Sequence, residues 1–119
     1  MPVEIKCKDR FLQPVILRAK KATVRKGVRD YTLGPAVLVF DDGARVPIFI
    51  WRLGLRMLMA LGDVEAINCG YKSIQEMILN LAKIYPDIEP DQVMTIVNFE
   101  IDGAIQKGEV RGDQTPRDN

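Results

Sequence analysis

The first third of the chain changes between strand-like and helix-like spacing of its apolar residues. Residues 3–7 alternate apolar and polar side chains and predict a short opening strand. Residues 11–19 carry apolar side chains at helical spacing. Pro14 fits a helix only in its first turn, so we expect this helix to begin near residue 12. The β-branched residues within 22–26 then predict a second strand.

Two longer apolar runs follow, and the turn between them predicts a hairpin. Residues 36–40 are typical of a buried strand, and the Asp-Gly step at 42–43 is typical of a tight hairpin turn. Residues 44–58 predict a long return strand, in which Pro47 indicates an edge or a bulge. Trp51 lies within this apolar strand, so we expect it in the core.

The pattern becomes helical after these strands. Asp63 is placed to cap a short helix, and residues 73–86 contain the strongest helical pattern of the chain. Ser73 and Glu76 have the spacing of a capping box at the start of that helix. Residues 92–101 then predict a closing strand.

This order of elements predicts an α+β fold. The strands come in a run instead of alternating regularly with helices, so we expect an antiparallel, curved or barrel-like sheet with helices at its ends. A chain of 119 residues is long enough for one domain. We assign that domain to residues 1–103 and expect the glycine-rich, charged residues 104–119 to form a disordered tail.

The composition excludes several kinds of catalytic and metal chemistry but adds little to the prediction of the fold. The chain has no histidine, which excludes imidazole catalysis and His-ligated zinc. Its two cysteines, Cys7 and Cys69, lack a metal-ligand spacing and are expected to be buried thiols. We therefore expect no metal and no other cofactor. No apolar run is long enough to span a membrane and no signal peptide is evident, so a cytoplasmic protein without a membrane partner is expected.

Positive charge is concentrated near the start of the chain. Residues 1–30 hold nine Lys or Arg and three Asp or Glu, whereas residues 63–119 hold five and eleven. Within residues 18–34, six cations lie around Thr23 and Tyr31. Two interpretations are open: this stretch is a well-solvated strand and turn, or it is the floor of a site that receives an anion.

Three blocks of the sequence occur in an order and spacing that point to a family. They are ILRAKKATVRKGVRDYTLG at 16–34, GYKSIQEMILNLAKIYP at 70–86 and VMTIVNFE at 93–100. Together they resemble the ASCH domain, a small relative of the PUA domain, over about residues 9–101. The resemblance implies a PUA-like small β-barrel with flanking helices, and a cleft that takes RNA or a modified nucleotide.

The family motif Gly-x-Lys-x-x-Thr-x-Arg falls within the first block. The resemblance places its lysine on Lys20, its threonine on Thr23 and its arginine on Arg25. The motif glycine falls on Arg18, which is a departure. In a strand over 22–26, Thr23 and Arg25 share one face. Two cations with a hydroxyl between them are suited to hold a phosphate or a nucleobase carbonyl.

Some members of the family resemble an amidohydrolase that removes an acyl group from a modified cytidine. Its glutamate stands three positions before the serine that starts the second block's helix, where this chain has Gly70. Without histidine, amide hydrolysis needs a carboxylate to move protons, and Glu65 and Glu76 are nearest in sequence. We therefore expect a binding protein. An amidohydrolase on acylated cytidine, with Lys20 and Thr23 as its catalytic residues, is the alternative.

RNA, or a modified nucleotide within it, is the expected partner. Arg29 and Tyr31 flank a turn where the tyrosine is placed to stack a base, although a core position for Tyr31 is equally open. Tyr71 and Lys72 precede a helix whose first amides favour anions, and packing of Tyr71 under the loop is its alternative. A protein-interaction module that uses the acidic residues 87–102 is a third class of function. The candidate nucleic-acid-binding residues are Lys20, Lys21, Thr23, Arg25, Arg29, Tyr31, Tyr71 and Lys72.

Overall fold

Five strands in one curled sheet, with three helices, form the part of the chain that the structure describes, residues 3–102 of a computed structural model. The strands are β1 (Val3–Cys7), β2 (Ala22–Lys26), β3 (Gly34–Phe40), β4 (Arg45–Met57) and β5 (Val93–Ile101). The helices are α1 (Leu12–Ile16), α2 (Asp63–Asn68) and α3 (Ile74–Ile84). The predicted α+β class is confirmed. The predicted tail, 104–119, lies outside the described residues.

The sheet order is β1-β3-β4-β5-β2, and only the β1–β3 pair is parallel. The two strands that begin the chain therefore lie at opposite edges of the sheet. The curl of the sheet brings these two edges together. Their contact is shown by the side chain of Arg25 on β2, which donates a hydrogen bond to the carbonyl oxygen of Lys6 on β1. We call the junction of these two edge strands the seam. Within residues 3–102 no helix is long and apolar enough to cross a membrane.

One expectation for the long return strand is wrong. Pro47 pairs with Val37 of β3, and β4 pairs with β5 only from the next residue, Ile48, onward. The irregularity lies further along, where Ile50 pairs with Phe99 and Arg52 pairs with Asn98, so the residue between them has no partner. That residue is Trp51, which is 52% exposed and is not a core residue. Ile50 is buried, whereas both Trp51 and Arg52 are exposed, so the bulge breaks the alternation of faces on which the expectation depended.

The core has two parts, which lie on opposite faces of β2 and β5. Val97 packs with residues of β1, β3 and β4, whereas Ile96 packs with residues of α2 and α3. Because β2 pairs in register with β5, its side chains divide in the same way: Thr23 lies opposite Val97 and Val24 lies opposite Ile96. Both faces of this strand pair are therefore covered, and Thr23 is buried together with Val24.

The ends of the helices differ from the expected caps in two places. Asp63 does not cap α2; instead its Oδ1 accepts a hydrogen bond from the backbone N–H of Ile74, at 2.9 Å, and so joins α2 to α3. Ser73 caps α3 as expected, because its Oγ accepts from the N–H of Glu76 at 3.2 Å. The Glu76 carboxylate, however, accepts from the N–H of Lys72 instead of completing a capping box with Ser73.

Arg18 stands where the family motif has a glycine, and its backbone has the conformation that glycine favours. The helix α1 ends after five residues, and Arg18 follows with a φ of 63°, which is unique among the non-glycine residues of the described part. Glycine adopts this left-handed conformation without the steric cost that other residues incur. The departure therefore changes the side chain at this position but keeps the backbone conformation that suits a glycine.

Candidate functional site

A cavity of about 450 Å³ lies between the seam and the helix α3. Strand β1 and the residue after it supply its rim, β2 supplies its floor, and α3 supplies its opposite wall. Among the described residues, five cations and two carboxylates line it, so these lining residues carry a net positive charge. The cations are Lys6, Lys8, Lys20, Arg25 and Arg29, and the carboxylates are Glu4 and Asp41. Glu4 is itself paired with Arg45 at 2.8 Å.

Lys20 lies at the floor of this cavity and is only 4% exposed. Its Nζ donates hydrogen bonds to the carbonyl oxygens of Ala22, at 2.8 Å, and Cys69, at 2.7 Å. It also lies 4.5 Å from the centre of the Phe11 ring. Burial lowers the pKa of Lys20 from 10.5 to about 8, and the nearby Arg25 acts in the same direction more weakly. An ammonium has three donors, so one is left for a ligand.

The lowered pKa of Lys20 predicts a specific pH dependence of stability. Between pH 8 and 10.5 the unfolded chain keeps the proton that the folded chain releases, so stability rises with pH in that window. We expect the free energy of unfolding of the wild type, relative to Lys20→Met, to increase by about 3 kcal/mol from pH 7 to pH 10.5. Urea denaturation of both proteins across this range measures it. If the difference in free energy of unfolding between the two proteins did not change with pH, the pKa of Lys20 would not be lowered.

Thr23 and Arg25 share one face of β2, as predicted, and their side chains are in contact. Arg25 Nη1 donates to Thr23 Oγ1 at 2.5 Å and to the carbonyl oxygen of Val24 at 3.0 Å. Arg25 Nη2 donates to the carbonyl oxygen of Lys6 at 2.5 Å and lies 3.7 Å from Cys7 Sγ. The guanidinium is thus used mainly to close the seam. The Thr23 hydroxyl accepts from it and keeps its own proton for another acceptor.

The aromatic side chains of the cavity are held in place by polar partners. The Tyr71 ring packs edge-to-face on Phe11 with the ring centres 5.4 Å apart, and Asn80 Nδ2 donates to its hydroxyl at 2.5 Å. Burial raises the pKa of Tyr71. The guanidinium of Arg10 covers the same two rings, at 4.7 Å from Phe11 and 5.4 Å from Tyr71. Tyr31 is half-buried at the rim and has packing contacts with the first core part.

Six of the eight candidate residues line this cavity and two do not. Lys21 borders a separate cavity on the other side of Lys20, and Lys72 is exposed before α3. Sequence reasoning missed Asn80 and Asp41. Asn80 carried a usable signal, because it is a polar residue between the buried positions Met77 and Leu81 of α3. Asp41 carried no such signal, because it lines the cavity only as a result of how the fold places the turn after β3.

The two glutamates considered for proton transfer have structural partners. Glu65 Oε1 accepts from the backbone N–H of Gly62 at 2.6 Å, and its Oε2 lies 4.0 Å from Arg56. Glu76 Oε1 accepts from the N–H of Lys72 at 2.6 Å. Neither glutamate lines the cavity that contains Lys20. The carboxylates that do line it are Glu4, on β1, and Asp41, in the turn after β3.

Gly70, at the position of the family's glutamate, has a conformational role. It follows α2 with a φ of 95°, and its N–H donates to Ile67 O while the N–H of Tyr71 donates to Ala66 O. These two bonds are a Schellman motif, which favours glycine at this position. A Cβ here would lie 3.1 Å from the Phe11 ring.

Comparison with known proteins places this arrangement in a fold family. No family model matches the sequence, and no curated protein matches it. Protein EF3133 from Enterococcus faecalis V583, described with the family model DUF984, superimposes with a TM-score of 0.73 at 12% identity, over 97% of this chain and 87% of that one. The hypothetical protein PH0355 has a TM-score of 0.68 at 16% identity, over 86% and 100%.

An ASCH domain from Lactobacillus crispatus JV V101 superimposes with a TM-score of 0.64 at 16% identity, over 83% of this chain and 79% of that domain. The chain therefore has the same α+β fold as this ASCH domain. The resemblance of the three sequence blocks is confirmed at the level of the fold.

Proposed function

We propose that this protein binds RNA, or a modified nucleotide within it, in the cavity beside the seam. The observation that carries the proposal is the lining of that cavity. Five cations and several aromatic rings surround a volume of about 450 Å³, which is within the range of small-molecule sites. A nucleotide needs both kinds of contact, because it combines an anionic phosphate with a planar base.

The depth of each cation suggests its part in binding. Lys8 and Arg29 are exposed at the rim, where they are suited to hold phosphates. Lys20 is buried at the floor, where its remaining donor suits a carbonyl oxygen of a base. Tyr31 is the better stacking candidate, since Arg10 already covers a face of Tyr71. Arg25 supports the site by closing the seam.

Salt dependence and rim substitutions test the proposal. The variant Lys8→Gln/Arg29→Gln removes two rim cations without touching the buried lysine or the seam. We expect it to bind a single-stranded RNA octamer about ten-fold more weakly than the wild type at low salt. We also expect the slope of log affinity against log salt to fall by about 1.4, at ~0.7 per lost contact. Fluorescence anisotropy of a labelled octamer measures both quantities.

The matched control is Lys83→Gln/Arg52→Gln, which removes one exposed lysine and one exposed arginine that do not line the cavity. Wild-type affinity in this control, together with loss in the rim variant, locates the RNA in the cavity. Equal loss in both variants would mean that binding follows net charge alone, and absence of binding at low salt would overturn the proposal.

A second function is favoured by one observation, the lowered pKa of Lys20. With a pKa of about 8, about one-tenth of this amine is neutral at pH 7 and able to act as a base or nucleophile beside Thr23. The positions of Glu65 and Glu76 weigh against this reading. Acetate release from acetylated cytidine, increasing with pH through about 8 and lost in Lys20→Arg, would establish an amidohydrolase.

A further inference from the structure

The exposed Trp51 borders a groove that the candidate site does not use. This second cavity has a volume of about 330 Å³. Trp51 lies in it with the apolar side chains of Val15 and Phe99, and the exposed cations Arg18 and Lys21 border it. Glu100 is its acidic lining residue, so the groove combines an aromatic ring with a net positive charge.

The backbone explains why a tryptophan is exposed in the middle of a central strand. Trp51 is the unpaired residue of the bulge between Ile50 and Arg52 in the β4–β5 pairing. Bulges redirect a side chain and occur often beside functional sites. Lys21 is fixed against the same strand pair, since its carbonyl oxygen accepts from the N–H of Phe99 at 3.0 Å and its own N–H donates to Asn68 O at 2.6 Å. The backbone at Trp51 and at Lys21 is therefore held in place by the strand pair.

Lys20 borders both cavities, so the groove adjoins the first cavity. We propose that the groove is a second RNA subsite, in which Trp51 stacks one base of a single strand and Arg18 and Lys21 hold its phosphates. The strand is the one whose nucleotide occupies the first cavity, so the inference rests on the proposed function. Aromatic stacking flanked by cations is the usual way to hold single-stranded nucleic acid.

Trp51 is the sole tryptophan of the chain, so its fluorescence reports on this groove alone. We expect a single-stranded RNA octamer to quench this emission. We expect Trp51→Ala to bind the labelled octamer about 5- to 150-fold more weakly, as alanine substitution at stacking positions does. Trp51→Phe keeps a stacking ring and should retain most of the affinity.

The matched control is Phe49→Ala, which removes another exposed aromatic side chain of β4 that does not line the groove. We expect this variant to bind the octamer with wild-type affinity. Because both side chains are exposed, thermal melts should show both variants folded.

The outcomes separate this inference from the proposed function. Unchanged emission of the wild type on addition of RNA and unchanged affinity of Trp51→Ala, with loss of affinity in Lys8→Gln/Arg29→Gln, would overturn the groove as an RNA subsite and leave the first cavity as the binding site. Quenching with loss only in Trp51→Ala would support the groove and overturn the first cavity. A dimer in sedimentation experiments that Trp51→Ala dissociates, without quenching by RNA, would assign the groove to a second copy of the chain and overturn the inference.

Discussion

Gly70→Glu, which places a carboxylate where the family has one, is expected to destabilise the protein by about 2–5 kcal/mol. Gly70 has a φ of 95°, a conformation that costs about 1–2 kcal/mol for a residue with a side chain. The new Cβ would also lie 3.1 and 3.3 Å from two atoms of the buried Phe11 ring, and overpacking of this kind costs about 1–3 kcal/mol. Urea denaturation at pH 7 measures the loss.

Gly70→Ala separates backbone from charge in this experiment. It introduces the same Cβ and the same φ strain without a carboxylate, so we expect it to lose most of the stability that Gly70→Glu loses. If Gly70→Glu were as stable as the wild type, this would contradict the left-handed conformation of Gly70 and its close contact with Phe11. The expected result would show that the conformation of this turn opposes any side chain at position 70.

Arg25→Met is expected to lower the free energy of unfolding by about 2–3 kcal/mol, the value typical of hydrogen bonds made by a charged donor. Methionine retains much of the aliphatic length but removes the donors to Thr23 Oγ1 and Lys6 O. The second bond joins the two edge strands, so we also expect faster hydrogen exchange in β1. Urea denaturation and amide exchange measure the two effects.

Arg29→Met is the control for this substitution. Arg29 lines the same cavity, but its side chain is exposed and, among residues 3–102, donates only to the nearby carbonyl oxygen of Lys26. We expect it to change stability by less than about 0.5 kcal/mol. If Arg25→Met and Arg29→Met unfold alike, Arg25 does not close the seam.

Patterns local in the sequence predicted the elements of this fold well. The strand period of two placed Thr23 and Arg25 on one face, and the structure shows their side chains in contact. The start of α1 and the Ser73 cap also depend on neighbouring residues only. The stretch of high charge density, residues 18–34, contributes six residues to the lining of the cavity.

Features that depend on distant residues were not predictable in the same way. The burial of Lys20 follows from its contacts with Cys69 and Phe11, which are far from it in the sequence or on another element. Trp51 is exposed because of a bulge whose position depends on the register with β5. Lys21 and Lys20 are adjacent in the chain, yet Lys20 borders both cavities and Lys21 borders only the second.

The proposal that RNA binds in the first cavity is tested most directly by mapping the bound RNA by nuclear magnetic resonance. The ¹⁵N-labelled wild-type protein is titrated with the RNA octamer, so no substitution disturbs the fold. We expect the largest amide shifts on residues that line the first cavity, among them Lys8, Thr23, Arg29 and Tyr31. Shifts confined to the acidic residues 87–102, or no shifts at a saturating RNA concentration, would contradict this proposal.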